Sequence, residues 1–232
     1  MTYRHLTNLA DVARGAGLKV VEVDGWKTRG RPASTGGFNP VGVLCHHTAT
    51  SAKSSDANVV ALLRNGRSDL PGPLCHYGLG RDGTVYVIAA GRANHGGTAK
   101  ASGTVAAGDG NHLYIGIEAF NDGVGEKWPA AQYDAYVRLC AALCAKVTGN
   151  SAATVRGHKE TSATGKIDPT FDMGEFRERV AAALAPAPSK PAAPKPTNVT
   201  RARDLIRKAL SHAKRPVRRK KLQAAIDSLP KR

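Results

Sequence analysis

The chain has 232 residues, 41% hydrophobic and 5% aromatic, enough for one substantial domain with its own core plus a small appendage. No run approaches the ~20 apolar residues needed to cross a bilayer, which excludes a helical membrane protein, and the amino terminus carries no apolar stretch of the kind that marks a secretory signal. The net charge of +16 is uneven: Arg201 to Arg232 carries twelve Lys/Arg against two Asp, a local +10, and leaves +6 for the first 200 residues. Such asymmetry points to a polyanionic partner for the tail.

Leu6, Leu9, Ala10 and Ala13 recur at helical spacing, with Gly15 and Gly17 as the stop, and Lys19 to Val23 alternates as a short strand. Arg29 to Pro40 reads as a loop, and Val41 to His47 as a strand buried on both faces. Ser55 or Asp56 caps a helix through Val59, Val60, Leu62 and Leu63 that stops near Gly66. Cys75 to Leu79 and Thr84 to Ala89 flank Gly80-Arg81-Asp82-Gly83 as a hairpin. Gly91 to Gly110 is expected to be a long loop and His112 to Phe120 a strand.

Pro129 opens a helix with Tyr133, Tyr136, Val137, Cys140, Leu143, Cys144 and Val147 on one face and Gly149 beyond it. Cys140 and Cys144 read as small apolar residues of that stripe, since the four cysteines are too few and scattered for a disulfide framework. Asp172 and Glu175 predict a capping box for a helix through Leu184. The expected fold class is α/β, a mixed central sheet with helices on both faces, over residues 1–185. The prolines between Ala185 and Pro196 mark residues 186–198 as a Pro/Ala-rich linker, and residues 199–232 as two short basic helices around Pro216.

Three distant stretches carry the candidate chemistry. Leu44-Cys45-His46-His47 ends a strand, Ile115-Gly116-Ile117-Glu118 places a carboxylate in an apolar strand, and Gly157-His158 precedes Lys166-Ile167-Asp168-Pro169. Neighbouring strand residues point to opposite faces, so only one of His46 and His47 can join a shared ion. The ten residues from His158 to Asp168 suit a loop that folds back so both reach one cation, with Lys166 close by. Two histidines and an aspartate leave a fourth position on zinc for a reactive water. An unpaired Glu118 among apolar neighbours is costly unless it faces a cleft, where a raised pKa suits a general base.

Together with Arg81-Asp82-Gly83-Thr84 and Gly91-Arg92-Ala93-Asn94-His95, these motifs resemble the zinc-dependent N-acetylmuramoyl-L-alanine amidases. That family shares a fold with peptidoglycan-recognition proteins and occurs among phage endolysins. The resemblance spans roughly Pro40 to Leu184 in motif order and spacing. It implies Zn2+ held by His46, His158 and Asp168, with His47 excluded. It implies Glu118 as the base that activates water on the zinc, Lys166 as the stabiliser of the oxyanion, and cleavage of the amide joining N-acetylmuramic acid to L-alanine. His95 and His76 are implied substrate contacts. Some relatives use a cysteine as third ligand and a tyrosine beside the metal; Asp168, and Cys75 before His76, set this chain nearer those with an acidic ligand and a catalytic glutamate.

Implied, then, is a phage endolysin, an antimicrobial hydrolase of bacterial peptidoglycan. It would be made in the host cytoplasm without a signal peptide and act on the cell wall after release, as a monomer. For the basic tail the expected partner is an anionic wall polymer; anionic membrane and a solubilising disordered end are competing readings. No nucleic acid is expected, because no basic-aromatic motif accompanies the charge. A non-catalytic peptidoglycan-recognition protein and a host cell-wall-recycling amidase are the alternatives.

Overall fold

In the computed structural model, which describes residues 2–185 and 198–229, a six-stranded sheet sets the frame for everything else. In chain order the elements are α1 (Leu9–Gly15), β1 (Val20–Glu22), β2 (Gly42–His47), α2 (Asp56–Asn65), β3 (Gly66–Arg67) and β4 (Leu70–Pro71). There follow β5 (Tyr77–Leu79), β6 (Val85–Val87), β7 (Thr98–Ala99), β8 (Gly108–Asp109), α3 (Gly110–Leu113) and β9 (Tyr114–Ala119). The domain closes with α4 (Ala130–Leu143), β10 (Val155–Gly157), α5 (His158–Thr161) and α6 (Met173–Leu184). Strand order is β1-β6-β5-β9-β2-β10, parallel except for the β5–β6 hairpin, so the sheet is mixed as its α/β class requires.

Alternation along the strands gives the sheet two different faces. Val43, Cys45, Tyr77, Leu79, Ile115 and Ile117 join the large core under α1, α4 and α6, with Leu9, Leu139 and Phe176 packed among them. Leu44 and His46 align with Gly116 and Glu118 on the other face, and Gly78 aligns with Glu118 across β5. Part of that front face is covered by α2, whose Val59 and Leu63 bury Phe120 and Cys75. Another part lies under Ala99 and Val105, which cover Leu44 and Tyr114. Between these two covers the front stays open, and the cleft forms there.

Several expectations need correction. The segment Gly91 to Gly110 is not wholly irregular: β7 pairs with β8, and Ala99 bridges Ser162. Burial of Ala99 and Val105 on the sheet explains that order. His112 and Leu113 belong to the turn of helix α3 instead of the strand, because Asp109 caps the turn by accepting from the Asn111 N–H. The box at α6 is half formed: Asp172 accepts from the Glu175 N–H, but the Glu175 carboxylate pairs with Arg179 one turn on.

Tyr136 of α4 reaches the end of β2 from behind. Its hydroxyl accepts from the His46 N–H at 2.9 Å and faces the His46 and Ile117 carbonyls at 3.1 and 3.0 Å. One phenol thus ties the backbones of β2 and β9 at the level of the site.

Contacts divide the chain into two units, Met1–Ala185 and Pro186–Arg232. The expected linker falls almost wholly outside the described residues; the second unit is seen from Asn198, where α7 (Asn198–His212) begins, followed by α8 (Pro216–Asp227). These two helices pack as a hairpin, and Arg203 Nη2 donates to the Leu229 carbonyl at 3.0 Å. Pro216 takes the first helical position of α8, where its missing N–H costs nothing. Arg218, Arg219, Lys220 and Lys221 are exposed on α8, beside Val217, which is 71% exposed. Among the described residues no helix is long and apolar enough to cross a membrane.

Tyr136→Phe should strand the buried His46 N–H and cost about 1–3 kcal/mol of stability, the usual penalty for an unsatisfied buried donor. Urea unfolding of the variant beside the parent checks this.

Candidate active site

Residues from five stretches of the chain line a cleft of ≈ 700 Å³ on the open front of the sheet, among them His46, Glu118, His158, Lys166 and Asp168. Such a volume suits a small substrate segment. His46 ends β2; Glu118 stands opposite it in register on β9, so both side chains project from the same face. His158 follows β10, the strand on the other flank of β2. The turn after it is anchored firmly. The Glu160 carboxylate accepts from the Gly157 N–H at 2.8 Å and from Arg156 and Arg177, both at 2.8 Å. The Lys159 N–H donates to the Asp168 carbonyl at 2.7 Å, which folds the ten-residue loop back on itself.

Three donor atoms converge as a result. His46 Nδ1 lies 3.0 Å from Asp168 Oδ2 and 3.1 Å from His158 Nδ1, and His158 Nδ1 lies 3.3 Å from the same carboxylate oxygen. All three residues are buried. Hydrogen bonding alone accounts poorly for the trio. If both imidazoles donate from Nδ1 to Asp168, two N–H groups oppose one another at 3.1 Å; if one does not, its bond to Asp168 is lost.

A cation removes the conflict, since both nitrogens then present lone pairs. Bonds of about 2.0–2.1 Å to a tetrahedral zinc separate its donor atoms by about 3.3 Å, close to what is seen. The protonation states agree with that role. Burial depresses the His46 pKa to about 4, keeping the ring neutral. Burial acts to raise the Asp168 pKa, but hydrogen bonds from His158 and His46 outweigh it and hold the carboxyl well below its usual range. The trio therefore suits a divalent cation.

Glu118 is half-buried, yet its Oε2 is wholly buried and without a hydrogen-bond partner. Burial, and next the nearby Asp168 charge, push its pKa up to about 8, while Lys166 and Arg67 pull the other way. Lys166 is exposed at the rim. His95 lines the cleft, with Nδ1 3.1 Å from His46 Nε2.

Two other histidines sit apart from the trio. His47 turns away, as alternation requires: its ring packs over Gly123, where a Cβ would come within 2.2 Å of Nε2, and its centroid lies 6.5 Å from Trp128. The expected substrate contact by His76 does not fit its position. It is fully buried, stacked on Phe38 at 4.7 Å, and its Nδ1 accepts from the Gly116 N–H. His95, which lines the cleft where His76 does not, meets the His76 ring edge-on with centroids 5.5 Å apart.

Sequence reading missed what holds the site in place. A glycine inside an apolar strand signals close approach, and a Cβ on Gly116 would lie 2.6 Å from the His95 ring. Glu160 and Tyr136 gave no signal beyond helix patterning. Arg81, quoted within the hairpin motif, clamps Glu126 through Nε and Nη2 and so fixes the 121–126 loop at the cleft edge.

Fold and cleft together define an α/β protein with a buried trio suited to a divalent cation beside an unpaired carboxylate. The family model for N-acetylmuramoyl-L-alanine amidase matches residues 37–171, over half the chain and spanning every residue of the trio. The chain belongs to the N-acetylmuramoyl-L-alanine amidase family and is a peptidoglycan amidase. No curated protein matches it in sequence. Solved structures similar in fold include the N-acetylmuramoyl-L-alanine amidase LysC from Clostridium intestinale URNW, with TM-score 0.51, 19% identity, and 70% of this chain and 97% of that one covered. A selenomethionine AmpD derivative aligns with TM-score 0.50 and 21% identity over 70% and 93%. The PlyG catalytic domain aligns with TM-score 0.51 and 15% identity over 75% and 100%.

Glu160→Ala should leave the Arg156 and Arg177 guanidiniums without their shared carboxylate and the Gly157 N–H unpaired. A loss of roughly 3 kcal/mol is expected for breaking such a largely buried pair, read as a lowered thermal midpoint.

Proposed function

We propose that this amidase is a zinc enzyme of the endolysin type, in which His46, His158 and Asp168 hold the ion and Glu118 and Lys166 carry the proton and charge. The observation that supports it is the convergence of two imidazole nitrogens and one carboxylate oxygen within 3.3 Å of each other, beside an orphaned glutamate. When bound there, zinc supplies Lewis-acid polarisation and makes water more acidic. Beside a divalent cation the Glu118 carboxyl ionises more readily than its burial alone allows, and it then accepts the proton of the attacking water. Glu118 later returns that proton to the amine of the departing L-alanine. The Lys166 ammonium, free at the rim, faces the negative charge that develops on the lactyl carbonyl oxygen. His95 borders the same space.

The bond cleaved is the amide between the lactyl group of N-acetylmuramic acid and L-alanine. A pure recognition protein has no use for a half-buried Glu118 with an unpaired Oε2 next to a complete cation trio, which favours the enzyme.

We further propose that the α7–α8 hairpin serves as a wall-affinity module for an anionic wall polymer, acting apart from the catalytic unit. Six cations between Lys214 and Lys221, all exposed, support this. A tether of this kind raises local enzyme concentration on an immobile substrate and suits a lytic enzyme better than one recycling soluble fragments. Synthesis in a bacterial cytoplasm, with action on the wall after release, and a monomeric state complete the reading.

His158→Ala should abolish stoichiometric zinc and hydrolysis together. Glu118→Gln should keep zinc and lose about 10²–10⁴ in turnover, the range for a general base. Metal analysis, with mass spectrometry of digested wall for new L-alanine amino termini on intact glycan strands, reads both; full activity in Glu118→Gln would remove the assigned base. Replacing Arg218, Arg219, Lys220 and Lys221 by Glu in the full chain should cut retention on purified sacculi at low salt, with hydrolysis of soluble muropeptides unchanged. A salt series on the parent should mimic the loss.

A further inference from the structure

His46 has two ring nitrogens and the structure uses both. Nδ1 faces His158 and Asp168, and Nε2 faces His95 Nδ1 at 3.1 Å. A neutral imidazole carries one proton, so a ring that offers Nδ1 as a lone pair must carry its proton on Nε2. His46 is only 1% exposed, so water is a poor partner for that N–H and the partner has to be built in.

We propose that His95 is a positioning residue for the metal centre: its Nδ1 accepts the His46 Nε2–H and so holds His46 in the tautomer and orientation that present Nδ1 to the cation. This rests on the zinc reading above and assigns His95 a role other than contact with substrate. The ring planes stand at 89° with centroids 5.2 Å apart, a separation that fits two rings meeting nitrogen to nitrogen at 3.1 Å. The His95 Nε2 is wholly buried and has no hydrogen-bond partner.

The surroundings fix His95 more tightly than a substrate-gripping side chain needs. The Asn111 Oδ1 accepts from both the His95 and Gly96 N–H groups at 2.7 Å, pinning the backbone. Gly116 provides the seat, since any Cβ there would enter the ring. His76 stands edge-on behind it, centroids 5.5 Å apart, and is itself held by Phe38 and the Gly116 N–H. This gives the buried His76 a purpose: it backs the residue that orients His46.

Partners of this kind set the tautomer and basicity of a metal-bound histidine, and their loss typically weakens metal affinity about 10–100-fold. The test is the zinc dissociation constant of the full chain by chelator competition, for the parent, His95→Phe and His95→Asn. Phe keeps the ring and loses the acceptor, so affinity should fall about 10–100-fold. Asn places Oδ1 near the position of Nδ1 and should restore most of the loss.

At zinc saturation, any rise in KM for a soluble muropeptide should be smaller than the fall in zinc affinity in both variants. Long-range ¹⁵N–¹H spectra of the zinc-loaded parent should show His46 protonated at Nε2, with that proton exposed to exchange in His95→Phe. Should His95→Phe fail to fold, His95→Gln moves the acceptor one bond away and should bind zinc more weakly than His95→Asn. Unchanged zinc affinity in His95→Phe, with or without a raised KM, overturns the positioning role. A parent that binds no zinc overturns the metal reading instead, and the two failures are told apart by the parent measurement alone.

Discussion

The Asp168 carboxylate, pressed between two imidazole nitrogens in a buried corner, is the interaction on which the rest of the structure turns. Burying a charge is expensive unless it is paired and hydrogen-bonded. Here the charge is kept because His46 and His158 face it and because the loop between His158 and Asp168 is closed by the Lys159–Asp168 backbone bond. That loop stays in place through Glu160, which gathers the Gly157 N–H and two arginines. Without the clamp, the aspartate has no reason to remain out of water. The proposed zinc relieves the remaining conflict, two nitrogens held at 3.1 Å with no proton arrangement that satisfies both.

A second constraint is the two-faced sheet. Its back is committed to α1, α4 and α6, so every polar group on the strands that is not paired must emerge on the front. His46, Glu118 and the glycines Gly78 and Gly116 share that face by register alone. Small residues beside large functional ones leave room for rings from other segments, and His95 takes the room above Gly116. The back face contributes too, since Tyr136 fastens the backbone of His46 through the sheet. Chemistry on one side is thus braced from the other.

The basic hairpin obeys different physics. Its apolar residues suffice to join two helices but not to build a large core, and its cations stay exposed. A unit of that kind contributes attraction of long range and low specificity, weakened by salt. The catalytic unit contributes the reverse, short-range geometry and little net charge. The proposed division of the two tasks between separate units lets each keep the composition it needs.

Local pattern was enough to determine the strand Gly42–His47, the capped helix after Ser55, the hairpin around Gly80 to Gly83 and the helix after Pro129, because period and turn chemistry act over a few residues. The same alternation forced His46 and His47 apart, and motif order pointed to Glu118, His158, Lys166 and Asp168, which line one cleft. What it left undecided were matters of long-range contact. The turn at His112, the bond from Glu175 to Arg179 and the order within Gly91 to Gly110 each depend on partners that sequence distance conceals. His76 and His95 looked alike as polar residues near the motifs; only the packed structure separates them, burying one behind the other and bringing His95 Nδ1 to His46. Residue types name the chemistry a chain can perform, but which nitrogen faces which proton is settled by tertiary packing, because that choice is made across more than a hundred residues of chain.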